Sequence, residues 1–176
     1  YNTITEEIGR KKHKAVIICP GGGYDWCSER EAEPVAFRFL GAGICSFVLR
    51  YSCCKKKFPT DALECATAVK YVRDNAEKFD IDPDKIIVCG FSAGGHLAAT
   101  MANFWNSELL TKPLGCKPED IKVNGSILGY PVITSDPEYT HEGSILNLIG
   151  EEKSAELREL VSMEKRVSEN TPPTFI

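Results

Sequence analysis

The stretch Gly90-Phe91-Ser92-Ala93-Gly94 constrains this chain more than any other. Lys85-Ile86-Ile87-Val88-Cys89 before it is a short apolar run that predicts a buried strand. Gly95-His96-Leu97-Ala98-Ala99-Thr100-Met101-Ala102 after it predicts a buried helix. A strand that passes through Gly-x-Ser-x-Gly straight into a helix turns so tightly that the serine backbone is strained. Gly90 and Gly94 leave room for the neighbouring backbone. The turn lifts the Ser92 hydroxyl clear of the sheet edge, at a helix N-terminus whose partial positive charge favours developing anions. Ser92 is therefore expected at positive φ, with a strain of roughly 1–3 kcal/mol. The five residues alone are a common pattern, and a glycine-rich turn can equally serve packing or phosphate binding. The flanking strand and helix are what single this one out. Its spacing is not the Gly-x-Gly-x-x-Gly of a dinucleotide site.

A second glycine-rich strand end strengthens the reading. Ala15-Val16-Ile17-Ile18-Cys19 is an apolar strand that runs into Pro20-Gly21-Gly22-Gly23-Tyr24. Three glycines leave backbone N–H groups that no side chain shields. Acyl transfer needs two such donors aimed at the oxygen that becomes negative in the tetrahedral intermediate. The candidates are the N–H of Ala93, the residue after the serine, and that of Gly22 or Gly23. By itself the glycine run is an ordinary flexible turn; the pairing with Ser92 makes it a candidate oxyanion hole.

These residues carry a family resemblance. Pro20-Gly21-Gly22-Gly23-Tyr24, Glu33-Pro34, Val48-Leu49-Arg50-Tyr51 and Gly90-Phe91-Ser92-Ala93-Gly94-Gly95-His96-Leu97 resemble the α/β-hydrolases of the esterase/lipase type. Gly129-Tyr130-Pro131-Val132-Ile133, His141-Glu142-Gly143-Ser144 and Thr171-Pro172-Pro173-Thr174-Phe175 extend the match from about residue 15 to the end. The nearest likeness is to the acetyl-esterase-like branch of bacterial enzymes related to xylan and carbohydrate esterases. Pro20 stands where many lipases carry histidine, a substitution that leaves the backbone donors in place. The resemblance implies a three-layer α/β/α fold with a mostly parallel sheet, and a serine carboxylesterase on small acyl groups, acetyl groups on carbohydrate among them. It implies an acyl-enzyme on Ser92 and no metal or organic cofactor. A peptidase or aryl-formamidase-like amidase on the same elbow is the alternative within enzymes. A non-catalytic binding domain that kept the fold is the alternative outside them.

The elements alternate as such a fold requires. Strands are expected near residues 15–19, 44–49, 85–89 and 123–129. A helix is expected from Glu29 to Leu40, with Ala32, Val35, Ala36 and Phe39 on one face. Another should run from Thr60 to about Lys78, with Thr60 as N-cap and Glu64 near the capping-box position. Asp80-Ile81-Asp82-Pro83-Asp84 reads as turn chemistry. Residues 134–170 read as a small helical insertion: a loop from Thr134 to Tyr139, then helices at Ser144–Ile149 and Ser154–Glu164. A further strand begins after Thr171.

Composition narrows the partners. The 176 residues suit one domain, and a net charge of −4 suggests no nucleic-acid surface. The run Lys55-Lys56-Lys57 reads as a solvated loop. No apolar run approaches the ~20 residues of a membrane span. Tyr1-Asn2-Thr3 is not a signal peptide, so a cytoplasmic protein is expected unless a leader has been removed. The eight cysteines include no Cys-x-x-Cys, and Cys53 and Cys54 are adjacent. Cys19, Cys45, Cys65 and Cys89 fall at apolar positions, so the set reads as reduced thiols rather than a disulfide framework or metal site.

An esterase serine needs a base, and the family's chain order is Ser, then Asp or Glu, then His. The chain has three histidines. His13 lies in a charged run and reads as solvated; His96, one helical turn after Ser92, reads as a packing residue. His141 with Asp136 preserves the chain order, but acid and base five residues apart on one loop would be unusual. The expectation is therefore that the chain stops before the segment carrying the acid and the histidine, lacks the C-terminal strands, and leaves a sheet edge open to self-association.

Overall fold

The computed structural model describes residues 12–54, 57–150 and 155–176. Tyr1-Asn2-Thr3, Lys55-Lys56 and Ser154 lie outside the described residues. Five parallel strands form one sheet, in the order β2-β1-β3-β4-β5. They are β1 (His13–Cys19), β2 (Cys45–Val48), β3 (Ile81–Phe91), β4 (Gly125–Gly129) and β5 (Thr174–Phe175). The helices are α1 (Glu33–Gly41), α2 (Thr60–Asp74), α3 (Ala93–Phe104), α4 (Glu108–Leu114), α5 (Pro118–Ile121), α6 (Glu142–Ile149) and α7 (Ala155–Leu160). No helix among the described residues is long and apolar enough to cross a membrane.

Strand alternation divides the core into two layers. Val16, Ile18 and Cys89 pack with Ala36 of α1 on one face. Ala15, Ile17, Cys19, Ile86 and Val88 pack on the other with α2 and α3, through Cys65, Val69, Leu97 and Met101. Helices thus cover both faces of a parallel sheet, as the alternation of elements predicts. The cysteines are thiols, and Cys19, Cys45, Cys65 and Cys89 are buried in these layers.

Four boundaries differ from expectation. The helix expected from Glu29 splits into a 3₁₀ turn at Glu29–Glu31 and α1. Pro34 lacks an N–H and its ring clashes with a preceding turn, so it opens a helix rather than continuing one. Residues 81–84 belong to β3, not to a separate turn. His13 pairs Ile81 and Ala15 pairs Ile86, so the intervening residues bulge from the ladder. Within the bulge Asp82 accepts from the Asp84 N–H and pairs with Lys85. The turn chemistry survives there as a strand irregularity. Thr60 makes no cap: Pro59 holds that position, and Glu64 accepts instead from the Ser52 N–H and hydroxyl, each at 2.6 Å. The helix also ends early, at Asp74.

In the insertion, α6 starts at Glu142, and the second helix breaks at Ser162 into α7 and a 3₁₀ turn at Met163–Lys165. The short helices α4 and α5 were not anticipated. Their signals are in the chain: Ser107 accepts from the Leu109 N–H, Gly115 caps at φ 58, and Pro118 opens α5. Lys57 is not merely solvated, since its ammonium donates to the Asn147 carbonyl at 2.7 Å near the C-terminal end of α6.

Candidate active site

Ser92 sits between β3 and α3 with φ 52 and ψ −118. A non-glycine residue rarely holds this backbone. Three hydrogen bonds fix it. The Ser92 N–H donates to the Gly129 carbonyl at 3.0 Å, and its carbonyl accepts from the N–H groups of His96 and Val132, each at 3.1 Å. The two glycines are required by space. A Cβ on Gly90 would lie 1.9 Å from the Gly94 carbonyl oxygen, and one on Gly94 would lie 2.0 Å from that of Cys19. Strand end, helix start and the end of β1 are therefore in backbone contact. Ser92→Gly should relieve the backbone strain at little other loss. The expected result is a gain of about 1 kcal/mol, read as a higher urea midpoint than the parent chain. An unchanged or lower midpoint would show that the turn stores no strain.

The glycine loop lies against this turn. A Cβ on Gly21 would come within 2.8 Å of the Phe91 carbonyl and 3.1 Å of the Ser92 Cβ. Gly22, Gly23 and Tyr24 all have positive φ, of 125°, 65° and 58°. The Gly21 N–H donates to Glu31 Oε2 at 2.8 Å, and Asn147 Nδ2 donates to the Gly23 carbonyl at 2.9 Å. Among the described residues the Gly22, Gly23 and Ala93 N–H groups and the Ser92 hydroxyl meet no hydrogen-bond partner. Ala93 is the first residue of α3, where amides lack intrahelical acceptors. Gly22, Gly23 and Ser92 line one open cleft of about 280 Å³, together with Trp26, Glu31, Tyr130 and His141.

Two residues of this cleft escaped the sequence reading. Glu31 accepts from Gly21 with one oxygen and from the Tyr130 hydroxyl, at 2.9 Å, with the other. It thereby braces the glycine loop against the end of β4. Burial and the neighbouring Glu31 carboxylate push the Tyr130 phenol above its usual range. An acid a few residues past a glycine run was the available signal, but its partner is 99 residues away.

The histidines fall as follows. His96 is fully buried, with Nδ1 2.7 Å from the Tyr24 hydroxyl and Nε2 2.7 Å from the Val161 carbonyl. A carbonyl only accepts, so Nε2 carries the proton and Tyr24 donates to Nδ1. Burial drives its pKa down to about 4. It is the packing residue expected, and it anchors Tyr24 at the end of the glycine loop. His13 is half-buried rather than solvated, with Nδ1 3.1 Å from the Gly43 carbonyl. His141 borders the cleft but caps α6, its Nδ1 accepting from the Ser144 N–H at 3.3 Å and lying 2.9 Å from the Ser144 hydroxyl. Asp136 is exposed and accepts from the Glu138 N–H at 3.0 Å. The fold brings His141 to the Ser92 cleft and makes no hydrogen bond between it and Asp136 among the described residues. Nor do those residues gather three or more His, Cys, Asp or Glu that could hold a metal ion.

Comparison with known proteins follows the same lines. The BD-FAE family profile matches residues 4–176. The endo-1,4-beta-xylanase B of Butyrivibrio fibrisolvens is 36% identical over 173 residues, covering 94% of this chain and 26% of that protein. The acetylxylan esterase of Xylanibacter ruminicola is 31% identical over 167 residues, covering 93% of this chain and 32% of that protein. The chain thus spans less than a third of the length of either relative. The crystal structure of an acetyl ester-xyloside bifunctional hydrolase from Caldicellulosiruptor lactoaceticus superposes with a TM-score of 0.86 at 34% identity, over 99% of this chain and 62% of that one. Parallel sheet, serine elbow and profile agree that the chain belongs to the BD-FAE family, an esterase branch of the α/β-hydrolases.

Proposed function

We propose that this chain carries the nucleophile and the oxyanion-binding half of a serine carboxylesterase for small acyl esters, with acetyl groups on carbohydrate as the substrate class. One observation carries the reading: Ser92 is held at φ 52 in the same cleft as Gly22 and Gly23. The acetylxylan esterase relative and the acetyl ester-xyloside hydrolase support the acyl group and the carbohydrate. Ser92 Oγ attacks the ester carbonyl. The N–H groups of Ala93 and of Gly22 or Gly23 hold the resulting oxyanion, each such donor being worth about 3 kcal/mol of barrier. The alcohol leaves, and water then cleaves the acyl-enzyme.

The proton on Ser92 needs an acceptor. His96 is committed on both nitrogens and His13 to Gly43, while His141 is engaged by Ser144. The reading therefore assigns the base and its orienting acid to residues outside these 176. The test is p-nitrophenyl acetate hydrolysis. The 176-residue chain should show no more than the ~10³–10⁴-fold over water that binding and an oxyanion hole give alone, and Ser92→Ala should leave that rate unchanged. A polypeptide continuing past Ile176 in the same gene should turn the ester over with an initial burst of p-nitrophenol. Ser92→Ala in that longer chain should lower kcat by about 10⁶-fold. Rapid turnover by the 176-residue chain, abolished by His141→Ala, would replace this account with an Asp136–His141 pair. An inert longer chain would favour a non-catalytic binding domain.

A further inference from the structure

Beside the glycine loop the fold brings together thiols from two distant segments. Cys27, at the end of that loop, and Cys53, in the segment between β2 and α2, lie with their sulfurs 3.9 Å apart. Both are half-buried and free. Both also face one acceptor, the Tyr51 carbonyl, at 3.6 and 3.5 Å. The two segments are already joined by the backbone, since the Cys54 N–H donates to the Tyr24 carbonyl at 2.7 Å. Cys54 itself turns away, its thiol 2.6 Å from an Asp25 carboxylate oxygen.

We propose that Cys27 and Cys53 form a redox-active dithiol, which low-molecular-weight disulfides such as oxidised glutathione convert to an intramolecular disulfide across the base of the glycine loop. The Cys27 thiolate attacks one sulfur of the small disulfide and releases the other half as a thiolate. The Cys53 sulfur then attacks Cys27 Sγ, its proton passing to the departing glutathione thiolate. Two thiols are oxidised to one disulfide, and one glutathione disulfide is reduced to two thiols. No other reagent is required.

The chemistry selects this pair. The thiolate is the attacking species. The hydrogen bond from the Cys53 thiol holds Cys27 down to about 7, while that same bond and burial push Cys53 up. Cys19 and Cys65 lie nearly as close, at 4.0 Å, but both are wholly buried, and their bond and burial push Cys19 well above the thiol range. No small disulfide reaches them. Closing the bond ties Cys27 to the β2–α2 segment five residues after Gly22. Any effect on ester hydrolysis rests on the proposed function; the bond itself does not.

The experiment is equilibration of the reduced chain with excess oxidised glutathione, followed by alkylation and thiol counting in denaturant. Two of the eight thiols should be lost, with no glutathione retained and no dimer formed. The initial rate should rise as pH passes about 7, where Cys27 ionises. Cys54→Ser should still lose two thiols, whereas neither Cys27→Ser nor Cys53→Ser should form an intramolecular bond. Emission from Trp26, next to Cys27, should change on oxidation and revert with dithiothreitol; this native readout shows that the chain is folded. Retention of all eight thiols, a lasting glutathione adduct on Cys27, or a bond that persists in Cys53→Ser would overturn the proposal.

Discussion

Gly94→Ala is expected to take the chain close to or below the threshold of stable folding. A Cβ there would lie 2.0 Å from the Cys19 carbonyl oxygen and 2.4 Å from that of Pro20. Both are backbone atoms at the end of β1, an interior strand, so neither can swing aside as a side chain would. Position 94 is also helical, and intrinsic propensity alone favours alanine over glycine there by about 1 kcal/mol. The overlap decides the sign. Relieving it requires α3 to move off β1, and the expected loss is about 3–5 kcal/mol from a total of about 5–15. Gly90→Ala should behave alike, with its Cβ 1.9 Å from the Gly94 carbonyl oxygen. Gly41 is the control: it ends α1, and a Cβ there meets nothing within 4 Å. Gly41→Ala should be neutral or stabilising by up to about 1 kcal/mol. Urea unfolding of the three variants reads the contrast. Equal midpoints for Gly94→Ala and Gly41→Ala would remove the close-approach account of the elbow.

The same contacts explain what could be read from the sequence. The elbow was legible because every constraint on it is local: apolar strand, glycines two residues either side of Ser92, apolar helix. Layering was legible because strands and helices alternate along the chain, which places helices on both faces of a parallel sheet. The bulge at residues 81–84 was not. Turn residues specify a local bend, and only the pairing of His13 with Ile81 absorbs that bend into a strand. Glu31, Tyr130 and the His96–Val161 contact were invisible because each joins segments 65 or more residues apart. Such pairs carry no periodicity. Asp61 belongs with them. A first-turn aspartate of an amphipathic helix ordinarily faces water, and nothing nearby in sequence marks this one as buried.

Asp61→Asn is expected to make the stability of the chain rise with pH between about 4 and 6.5, where the parent chain is nearly flat in this contribution. Asp61 is 4% exposed, and burial raises its carboxyl to about 6. His96 is 0% exposed, and burial lowers its imidazole to about 4. The Tyr24 hydroxyl donates to His96, and Asp61 is buried nearby with its Oδ1 meeting no hydrogen-bond partner among the described residues. Their linkages oppose each other. Unfolded His96 titrates near 6.5, so between about 4 and 6.5 the unfolded chain holds a proton that the folded chain does not, and stability rises with pH. Unfolded Asp61 titrates near 3.9, so up to about 6 the folded chain holds the extra proton, and stability falls with pH. Each contribution is worth on the order of 3 kcal/mol and the two windows overlap, so the opposed slopes largely offset each other. Asparagine removes the falling half. Glu64 beside Asp61 and Glu164 near His96 remain in both proteins and drop out of the comparison. The measurement is urea unfolding of parent and variant at half-unit steps from pH 4 to 7. The variant should gain on the order of 3 kcal/mol relative to the parent across that window. Parallel curves would mean that Asp61 is charged in the folded protein throughout, and that burial does not hold a proton on its carboxyl.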